Sequence, residues 1–378
     1  MTLFLNDFRI LRPVSEHSQT TTLEWLAAAH RRAESIRSKD SNFDPITFEE
    51  KIHALLNRVG SPEKVKIQKR GTQLLDVGHT RWQEMDLFKL SDSPSCIGEK
   101  TEYYGKAVDR FFEEFYPENE TMPDDLIHVT CTGYLSPSGA QKIVAKRNAG
   151  RKTTVTHAYH MGCYASIPAL RMARGFAKEK PRVDIVHTEL CSLHLDPFSH
   201  SHEQLVVQSL FGDGCIRYSI SPASDSPCLA LLGLKETTLP DTAYAMTWQP
   251  ASWGMQMSLK KEVPNLIADS IEQALDDLGS SSGFTKEELQ QKALFAIHPG
   301  GPKIIETVAN LLRLQPSQYQ HSYSILENYG NMSSATLPHI WESMVKDKQV
   351  PHDTLIVSLS FGPGLTVASS LMQKKVPA

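Results

Sequence analysis

Residues 153–178 read TTVTHAYHMGCYASIPALRMARGFAK, and this stretch carries the clearest fold signal in the chain. Thr153–His160 is rich in β-branched and aromatic residues, which predicts a strand. Met161-Gly162-Cys163 is a turn, and the small and apolar residues after it predict a helix from Tyr164 to about Lys178. A strand that runs directly into a helix is the repeating unit of layered α/β proteins. We therefore predict an α/β fold.

A similar order of elements occurs in both halves of the chain. In the first half we predict a helix at His202–Leu210 and further strands at Leu126–Thr132, Arg182–Leu193, Cys215–Ile220 and Pro227–Lys235. In the second half we predict a helix at Val263–Leu278 and strands at Ala293–Ile297, Thr354–Leu359 and Leu365–Met372. This order favours two similar halves that meet near residues 222–240. The first 120 residues are expected to be mainly helical.

The composition is typical of a globular protein. The chain has 378 residues, of which 40% are hydrophobic and 22% charged, and its formal net charge is −4. This balance gives no electrostatic reason to expect nucleic acid as a partner. The first apolar run is broken at Asn6 and Asp7, too early for a signal-peptide core, and no other run approaches the length of a membrane span. We expect a cytoplasmic protein without membrane contact.

The six cysteines are spread along the chain without a CxxC pair. They are Cys96, Cys131, Cys163, Cys191, Cys215 and Cys228. In a chain of this length, such spacing is typical neither of a disulfide framework nor of a zinc site. We therefore predict free thiols, no metal, and one or two reactive cysteines at most.

Cys163 is the candidate nucleophile. It follows a predicted strand and opens a predicted helix, where unpaired amides and the helix dipole favour the thiolate and lower the pKa of the thiol. Gly162 would let the backbone turn sharply, so that the sulfur points into a pocket. The alternative is a buried core cysteine without a chemical role.

Two distant residues are candidate partners for Cys163. His298 stands at the end of the predicted strand Ala293–Ile297, where α/β proteins place catalytic groups. Asn331 lies in a glycine-bearing loop that opens the next helix. Taken singly, His298 could be a structural histidine and Asn331 a helix cap. Together, a cysteine could accept an acyl group, while two side-chain donors hold a carbonyl oxygen as it becomes an enolate or oxyanion.

Five short strings give the chain a specific resemblance. They are His160-Met161-Gly162-Cys163-Tyr164-Ala165, Leu210-Phe211-Gly212-Asp213-Gly214, Ile297-His298-Pro299-Gly300-Gly301, Gly330-Asn331-Met332-Ser333-Ser334 and Phe361-Gly362-Pro363-Gly364-Leu365-Thr366. In this order they resemble the type III polyketide synthases, the chalcone synthase-like branch of the thiolase superfamily. The resemblance runs from about residue 125 to residue 378, and the first 120 residues match only loosely.

The resemblance implies a duplicated thiolase-like fold with the layers α-β-α-β-α. Its N-terminal half would be residues 1–230, with the nucleophile, and its C-terminal half residues 231–378, with His298 and Asn331. It also implies a homodimer that acts on acyl-coenzyme A and malonyl-coenzyme A without a further cofactor. An acyl carrier protein is an alternative donor of the acyl group.

The resemblance further implies residues that bind substrate. Phe211 would be a gatekeeper beside Cys163, Met257 would occupy the second gatekeeper position, and Ser333 would lie beside the substrate. His194 and Trp248 stand where plant relatives carry smaller residues, so a smaller or differently shaped acyl group is expected in place of coumaroyl. Lys69, in the basic segment Lys66–Arg70, would lie near the coenzyme A phosphates. For Phe211 and His194 the alternative is core packing, and for the basic segment a solvated surface.

The function that these features favour is decarboxylative condensation of malonyl-coenzyme A onto an acyl group bound to Cys163. The elongated chain would then cyclise to a pyrone or resorcinol-type ring. A close alternative is a single-condensation ketoacyl synthase or an enzyme that couples two acyl chains. The chain could instead be a Cys-His-Asn hydrolase or a non-catalytic scaffold of the same fold.

Overall fold

A computed structural model describes residues 2–89 and 95–377 of the chain. Within these residues lie thirteen strands and twelve α-helices. The strands are β1 (Leu3–Leu11), β2 (Ser15–Ser18), β3 (Lys69–Thr72), β4 (Asp125–Thr130), β5 (Thr154–Tyr159), β6 (Val183–Leu190), β7 (Asp213–Ser221), β8 (Cys228–Thr238), β9 (Met246–Ala251), β10 (Gly254–Leu259), β11 (Leu294–Ile297), β12 (Leu355–Gly362) and β13 (Thr366–Lys375). The helices are α1 (Gln19–Arg37), α2 (Pro45–Gly60), α3 (Pro62–Val65), α4 (Ile97–Phe115), α5 (Gly139–Lys146), α6 (Ser166–Phe176), α7 (His202–Leu210), α8 (Val263–Ser282), α9 (Lys286–Lys292), α10 (Pro302–Leu311), α11 (Pro316–Tyr329) and α12 (Thr336–Lys346).

Nine of these strands form one mixed sheet in the order β11-β12-β13-β8-β1-β7-β6-β4-β5. The pairs β4–β5, β4–β6 and β11–β12 are parallel, and the other neighbours are antiparallel. β1 joins the two halves of the sheet, because Phe4 lies opposite Ser221 of β7 on one side and opposite Ala230 of β8 on the other. The predicted α/β class is confirmed, and the two groups of strands belong to a single sheet.

Two helices, α6 and α12, lie between the halves of the sheet. α6 contacts β4 and β6 in one half and β8 and β13 in the other, while α12 contacts β7 and β11. The buried residues of α6 include the small side chains Ala169 and Ala173, which let strands pack closely on both sides. Trp341 of α12 is fully buried in this central core and donates its indole N–H to Ser358 Oγ at 2.8 Å.

Two further cores cover the outer faces of the sheet. In one, Leu26 of α1 and Phe112 of α4 pack with Leu126 of β4. In the other, Ile271 of α8 packs with residues of α10, α11 and the strands β11 to β13, among them Leu359. The layers are therefore helix, strand, helix, strand, helix, as the resemblance implies.

Several local details differ from the sequence predictions. The strand predicted over Arg182–Leu193 ends at Leu190, and Cys191–His194 form a 3-10 turn. β1 is absent from the predictions because its partners lie about 200 residues further along the chain, so no local pattern reports them. The division into halves 1–230 and 231–378 stays a prediction, and its boundary falls within β8.

The six cysteines are free thiols, five of them buried and Cys96 exposed. Within the described residues, no group of three or more histidine, cysteine, aspartate or glutamate side chains is arranged to hold a metal ion. None of the helices in residues 2–89 and 95–377 is both long and apolar enough to cross a membrane.

Candidate active site

Cys163 lies where β5 leads into α6. The helix predicted from Tyr164 begins at Ser166, and a 3-10 turn over Gly162–Tyr164 precedes it. Gly162 has φ +75°, and a Cβ at this position would lie 2.8 Å from Pro363 Cδ, so only glycine fits without strain. The turn brings the Cys163 side chain to the junction of two cavities, one outer and one inner.

The outer cavity brings the three candidate catalytic residues together. It is lined by Cys163, His298 and Asn331, and its volume is about 860 Å³, counted as the space that the centre of a water molecule can reach. Phe211 and Met257 line both this outer cavity and the inner one. The two residues expected as gatekeepers therefore lie beside Cys163, between the two spaces.

The backbone of His298 is hydrogen-bonded, whereas its imidazole ring makes no hydrogen bond within the described residues. Its backbone N–H donates to Leu359 O at 2.8 Å, directly after β11. Both ring nitrogens are buried, and neither has a hydrogen-bond partner among the residues that the structure describes. Burial lowers the pKa of the imidazole to about 3, so the ring is neutral at physiological pH. A neutral imidazole carries one N–H donor and one acceptor nitrogen, and both are available to a substrate.

Asn331 is fixed at its backbone and at one end of its side chain. Its N–H donates to Leu210 O, and its carbonyl accepts from Gly212 N–H, both at 2.9 Å, so it pairs in parallel with Phe211. Its Oδ1 accepts the N–H of Ser333 at 2.9 Å. The NH₂ group is therefore left as a donor, and a hydrogen bond from Asn331 to the Cys163 sulfur favours the thiolate.

The Cys163 thiol is harder to ionise than its place before a helix suggests. Burial raises the pKa of the Cys163 thiol to about 12, and the Glu189 carboxylate adds to the increase. Hydrogen bonds to Ser333 and Asn331 act in the opposite direction, with the Cys163 sulfur 3.7 Å from Ser333 Oγ. The expected lowering of the pKa is thus wrong, because desolvation by burial has a larger effect than these hydrogen bonds. The resting residue is a neutral thiol.

A buried carboxyl group, which the sequence analysis did not identify as functional, lies behind Cys163. Glu189 accepts hydrogen bonds from the Cys131 N–H at 3.0 Å and from Thr132 Oγ1 at 3.1 Å. The Cys131 sulfur lies 3.1 Å from Ser333 Oγ, which in turn contacts Cys163. Burial raises the pKa of Glu189 to about 7. Nothing local in the sequence marks these contacts, because they join residues up to about 200 positions apart.

His194 and Trp248 both line the inner cavity. Its volume is about 40 Å³ on the same measure, and Ser333 lines it together with both residues. Trp248 donates its indole N–H to Cys131 O at 2.6 Å, and His194 Nε2 lies 2.8 Å from Thr132 O. His194 belongs to the 3-10 turn after β6, so it is a cavity wall residue rather than a packed strand residue.

The structure does not bring Lys69 to either cavity. Its ammonium group pairs with Glu16 Oε2 at 2.9 Å, across the pairing of β2 with β3. The lysines that line the outer cavity are Lys64, Lys260, Lys261 and Lys303. The resemblance implies that Lys69 lies near the coenzyme A phosphates, but in the structure β3 directs this side chain toward Glu16 instead.

Arg70, next to Lys69, donates hydrogen bonds to the backbone that carries Phe211. It is buried, and its Nη1 donates to Gln208 O at 2.9 Å and to Phe211 O at 2.6 Å. These carbonyls lie at the end of α7, where the Phe211–Asn331 pairing begins. Arg70 lies in a run of charged residues that is typical of a surface, so no local pattern in the sequence indicates that its side chain is buried.

Two solved structures of type III polyketide synthases have a similar fold. The C-terminal type III polyketide synthase domain of Steely1 from Dictyostelium has a TM-score of 0.80 at 23% identity and covers 100% of both chains. The 1,3,6,8-tetrahydroxynaphthalene synthase of Streptomyces coelicolor has a TM-score of 0.78 at 21% identity and covers 99% of both. The thiolase-like fold is thereby confirmed.

The sequence itself defines the family. Models of the chalcone and stilbene synthases match residues 114–222 (N-terminal domain) and 231–377 (C-terminal domain). "Probable polyketide synthase 1" of Dictyostelium discoideum is 30% identical over 260 residues, which are 66% of this chain and 8% of that protein. "Type III polyketide synthase C" of Arabidopsis thaliana is 28% identical over 257 residues, 66% of each chain. The protein belongs to the chalcone and stilbene synthase family, a group of acyltransferases.

Proposed function

We propose that the protein synthesises a polyketide by condensing malonyl-coenzyme A with an acyl group bound to Cys163. The outer cavity is the observation that carries this proposal. There a buried thiol, an imidazole with two unpartnered nitrogens and a carboxamide donor line one space within the described structure. This set can hold an acyl group covalently and stabilise a negative charge on oxygen beside it.

The first step is transfer of a starter acyl group to Cys163. The sulfur of Cys163 bonds to the acyl carbon, the bond from that carbon to the coenzyme A sulfur breaks, and the thiol proton ends on the released coenzyme A. Because burial keeps Cys163 protonated at neutral pH, a base must take its proton as the thioester arrives. His298 lines the same cavity, and its ring nitrogens have no hydrogen-bond partner in the described structure, so one of them is free to take the proton as the thioester arrives.

The second step is loss of carbon dioxide from malonyl-coenzyme A. The electron pair of the broken carbon–carbon bond moves into an enolate, whose negative charge lies on the thioester oxygen. N–H groups of His298 and Asn331 stabilise that oxygen, and their effect is large because the site is buried. The enolate carbon then bonds to the acyl carbon held by Cys163. The bond from that carbon to the Cys163 sulfur breaks, and Cys163 is released as a thiolate. The scheme requires neither metal nor organic cofactor.

The lysines at the outer cavity suit a coenzyme A thioester. Lys64, Lys260, Lys261 and Lys303 supply positive charge for its phosphates. An acyl carrier protein is the alternative donor, since it presents the same thioester. Further rounds of condensation, cyclisation to a pyrone or resorcinol, a homodimer and a cytoplasmic location complete the proposal.

A mass-spectrometric product screen with malonyl-coenzyme A and a panel of acyl-coenzyme A starters tests the proposal. We expect products of two or more condensations from the wild type and from Cys228→Ala, a buried cysteine on β8 that lines neither cavity. Cys163→Ala should form none, and His298→Gln and Asn331→Ala should release carbon dioxide at least about tenfold more slowly. A single condensation would favour a ketoacyl synthase, and free acid without malonyl-coenzyme A would favour a hydrolase.

A further inference from the structure

Each round of the proposed condensation consumes one proton. The malonyl carboxylate leaves as neutral carbon dioxide, and Cys163 is released as a thiolate. Before Cys163 can load another acyl group as described above, this thiolate must become a thiol again. A thioester in the outer cavity displaces water from that side of the sulfur. The site therefore needs a proton supply that stays open while the outer cavity is filled.

A short chain of polar contacts joins Cys163 to the buried carboxyl group of Glu189. Cys131 Sγ lies 3.5 Å from Glu189 Oε2 and 3.1 Å from Ser333 Oγ. The Ser333 hydroxyl in turn lies 3.7 Å from the Cys163 sulfur. Burial raises the pKa of Glu189 to about 7 and that of the Cys163 thiol to about 12, so a Cys163 thiolate takes a proton from Glu189 readily. Glu189 must then be protonated again.

Two threonine hydroxyls approach Glu189 from the side away from Cys163. Thr132 Oγ1 lies 3.1 Å from Glu189 Oε2, and Thr130 Oγ1 lies 3.3 Å from Thr132 Oγ1. An ionised carboxylate can only accept, so Thr132 gives its hydrogen to Glu189. The hydrogen of Thr130 is then directed to Thr132. Both hydroxyls thus donate toward the carboxylate.

The chain continues from Thr130 to a buried histidine on β4. Tyr104 hydrogen-bonds to Thr130, and its Oη lies 2.9 Å from Thr188 Oγ1. His128 Nε2 lies 2.8 Å from the same Thr188 hydroxyl, and His128 Nδ1 lies 2.8 Å from Tyr159 Oη. Because Thr130 already donates inward, each hydroxyl before it must do the same. His128 therefore carries its proton on Nε2 and accepts from Tyr159.

The outer end of the chain reaches the edge of the sheet. β5 is the edge strand, and on it Tyr159 is half-buried and His157 is exposed. The two rings stack with their centroids 4.8 Å apart. Ser138 joins them, because its Oγ lies 2.9 Å from His157 Nε2 and it also hydrogen-bonds to Tyr159. Solvent protons thus have access to the Tyr159 hydroxyl.

A second chain that reaches Glu189 ends inside the molecule. The Ser334 hydroxyl donates to Glu189 Oε1, and His187 Nδ1 lies 3.0 Å from Ser334 Oγ. His187 Nε2 lies 3.2 Å from Tyr218 Oη, and Tyr218 is fully buried. Both chains contain a tyrosine, a neutral histidine and a hydroxyl group. The chain through His128 reaches the surface, whereas the one through His187 ends in the central core.

We propose that the chain from Tyr159 through His128 to Glu189 is a proton relay, which returns one proton to Cys163 in each condensation. The inference rests on the proposed function, because condensation is the step that consumes the proton. A solvent proton enters at Tyr159, and each hydroxyl passes its own hydrogen to the next group. His128 takes up a proton at Nδ1 and releases the one on Nε2. Glu189 becomes protonated and passes that proton to the Cys163 thiolate, without any oxidation or reduction.

Comparison of repeated turnover with first loading tests the relay. The assay uses malonyl-coenzyme A and the acyl-coenzyme A starter that the product screen identifies. Tyr159→Phe removes the outer hydroxyl and should lower kcat at least about tenfold while KM changes less than about twofold. The first acylation of Cys163, followed by intact-protein mass spectrometry, should stay unchanged, because the resting thiol still carries its own proton. In D2O the variant should slow by a larger factor than the wild type, since proton delivery limits it.

His128→Gln distinguishes a relay from a structural support. The carboxamide can accept from Tyr159 and donate to Thr188, so it can keep both hydrogen bonds, but it does not take up and release protons. It should lower kcat as Tyr159→Phe does, with an unchanged midpoint of urea denaturation. Tyr218→Phe is the matched control on the chain that ends in the core, and it should leave kcat unchanged.

Wild-type turnover in both Tyr159→Phe and His128→Gln would overturn the relay and leave the proposed function standing. Equal slowing of first loading and of repeated turnover, or the same loss in Tyr218→Phe, would also overturn it, because the chain would then have a structural role only. If the wild type forms no condensation product with any starter of the product screen, the proposed function fails, and the relay fails with it.

Discussion

Cys163 and Glu189 are joined through Cys131 and Ser333, and all four residues are buried. The negative charge of Glu189 disfavours the Cys163 thiolate, and burial disfavours both charged forms. The pKa of Glu189, about 7, means that its charge changes across the physiological range. The reactivity of Cys163 should therefore depend on pH through two groups rather than one.

Iodoacetamide alkylation of Cys163 should reveal this dependence. In the wild type the rate should rise about tenfold per pH unit from pH 7 to 10, because the thiol pKa is about 12. Glu189→Gln removes the negative charge and should speed alkylation about two- to tenfold at pH 8. At pH 6, where Glu189 is mostly protonated, the two proteins should differ little. A rate that levels off below pH 8 would contradict the raised pKa.

Gly162→Ala should destabilise the fold and the nucleophile turn together. The positive φ and the 2.8 Å approach to Pro363 predict a loss of about 1–3 kcal/mol in the free energy of unfolding. Urea denaturation measures this loss. Gly150→Ala is the matched control, since a Cβ there meets no atom within 4 Å, and it should change stability by less than about 0.5 kcal/mol. If both variants had the same free energy of unfolding, the turn at Gly162 would accommodate a side chain without strain, and the prediction would be wrong.

The end of α7 determines the positions of two site residues. Its last carbonyls accept from Arg70, and the next residues pair with the loop that carries Asn331. Gly330 has φ +71° and packs so closely that a Cβ would lie 3.0 Å from Arg70 Cδ. Phe211 and Asn331 are therefore placed by an arginine that lines neither cavity.

Arg70→Lys should separate the two half-reactions. Lysine keeps the charge near Asp213 but cannot reproduce the planar, multidentate donor geometry of arginine, so the loop of Asn331 should loosen. We expect release of carbon dioxide from malonyl-coenzyme A to fall about tenfold while acyl loading of Cys163 changes less than about twofold. Lys69→Met, the neighbouring surface residue, should alter neither rate. Equal loss of both activities, in parallel with stability, would assign Arg70 a structural role only.

The sequence predicted correctly those strands, turns and loops whose residue patterns lie within a short stretch of the chain. The strand before Cys163, the strand end at His298 and the loop of Asn331 are each readable within about ten residues, because turn glycines and β-branched runs report local backbone geometry. The roles of Arg70 and Glu189 could not be predicted from the sequence, because a buried charged residue differs from a solvated one only in its tertiary surroundings. The role expected for Lys69 came from the resemblance, and matching a basic segment to a family does not determine the direction in which a strand points each side chain.

Five histidines that expose at most 1% of their surface give the whole molecule a distinct acid response. They are His30, His128, His187, His298 and His339. Burial lowers the pKa of the first four to about 3 and that of His339 to about 4. The pKa of a histidine in the unfolded chain is about 6.5, so as the pH falls the unfolded chain binds protons before the folded protein does. Stability is fully present above pH 6.5 and is lost toward pH 3.

Two buried carboxyl groups oppose this trend. Burial raises the pKa of Glu189 to about 7 and that of Asp213 to about 6, so in the folded state they bind protons first as the pH falls. Burial also lowers the pKa of His194 to about 3, so six histidines against two carboxyl groups leave a net uptake of about four protons on unfolding near pH 5, or about 5 kcal/mol per pH unit. Calorimetry should show a falling Tm from pH 7 to pH 4.5, and His339→Gln should reduce the uptake by about one proton. A Tm that stays constant or rises on acidification would contradict this balance.

Because β1 lies in the middle of the sheet, it cannot pair during biosynthesis until much later strands have been made. The two strands on either side of it, β7 and β8, leave the ribosome about 200 residues after its nine residues do. At about 5–20 residues per second, β1 waits about 10–40 s for neighbours. During that interval its apolar residues, Leu3 and Leu5 among them, are open to chaperones and to other nascent chains. The sheet is thus completed only after β13 has been translated.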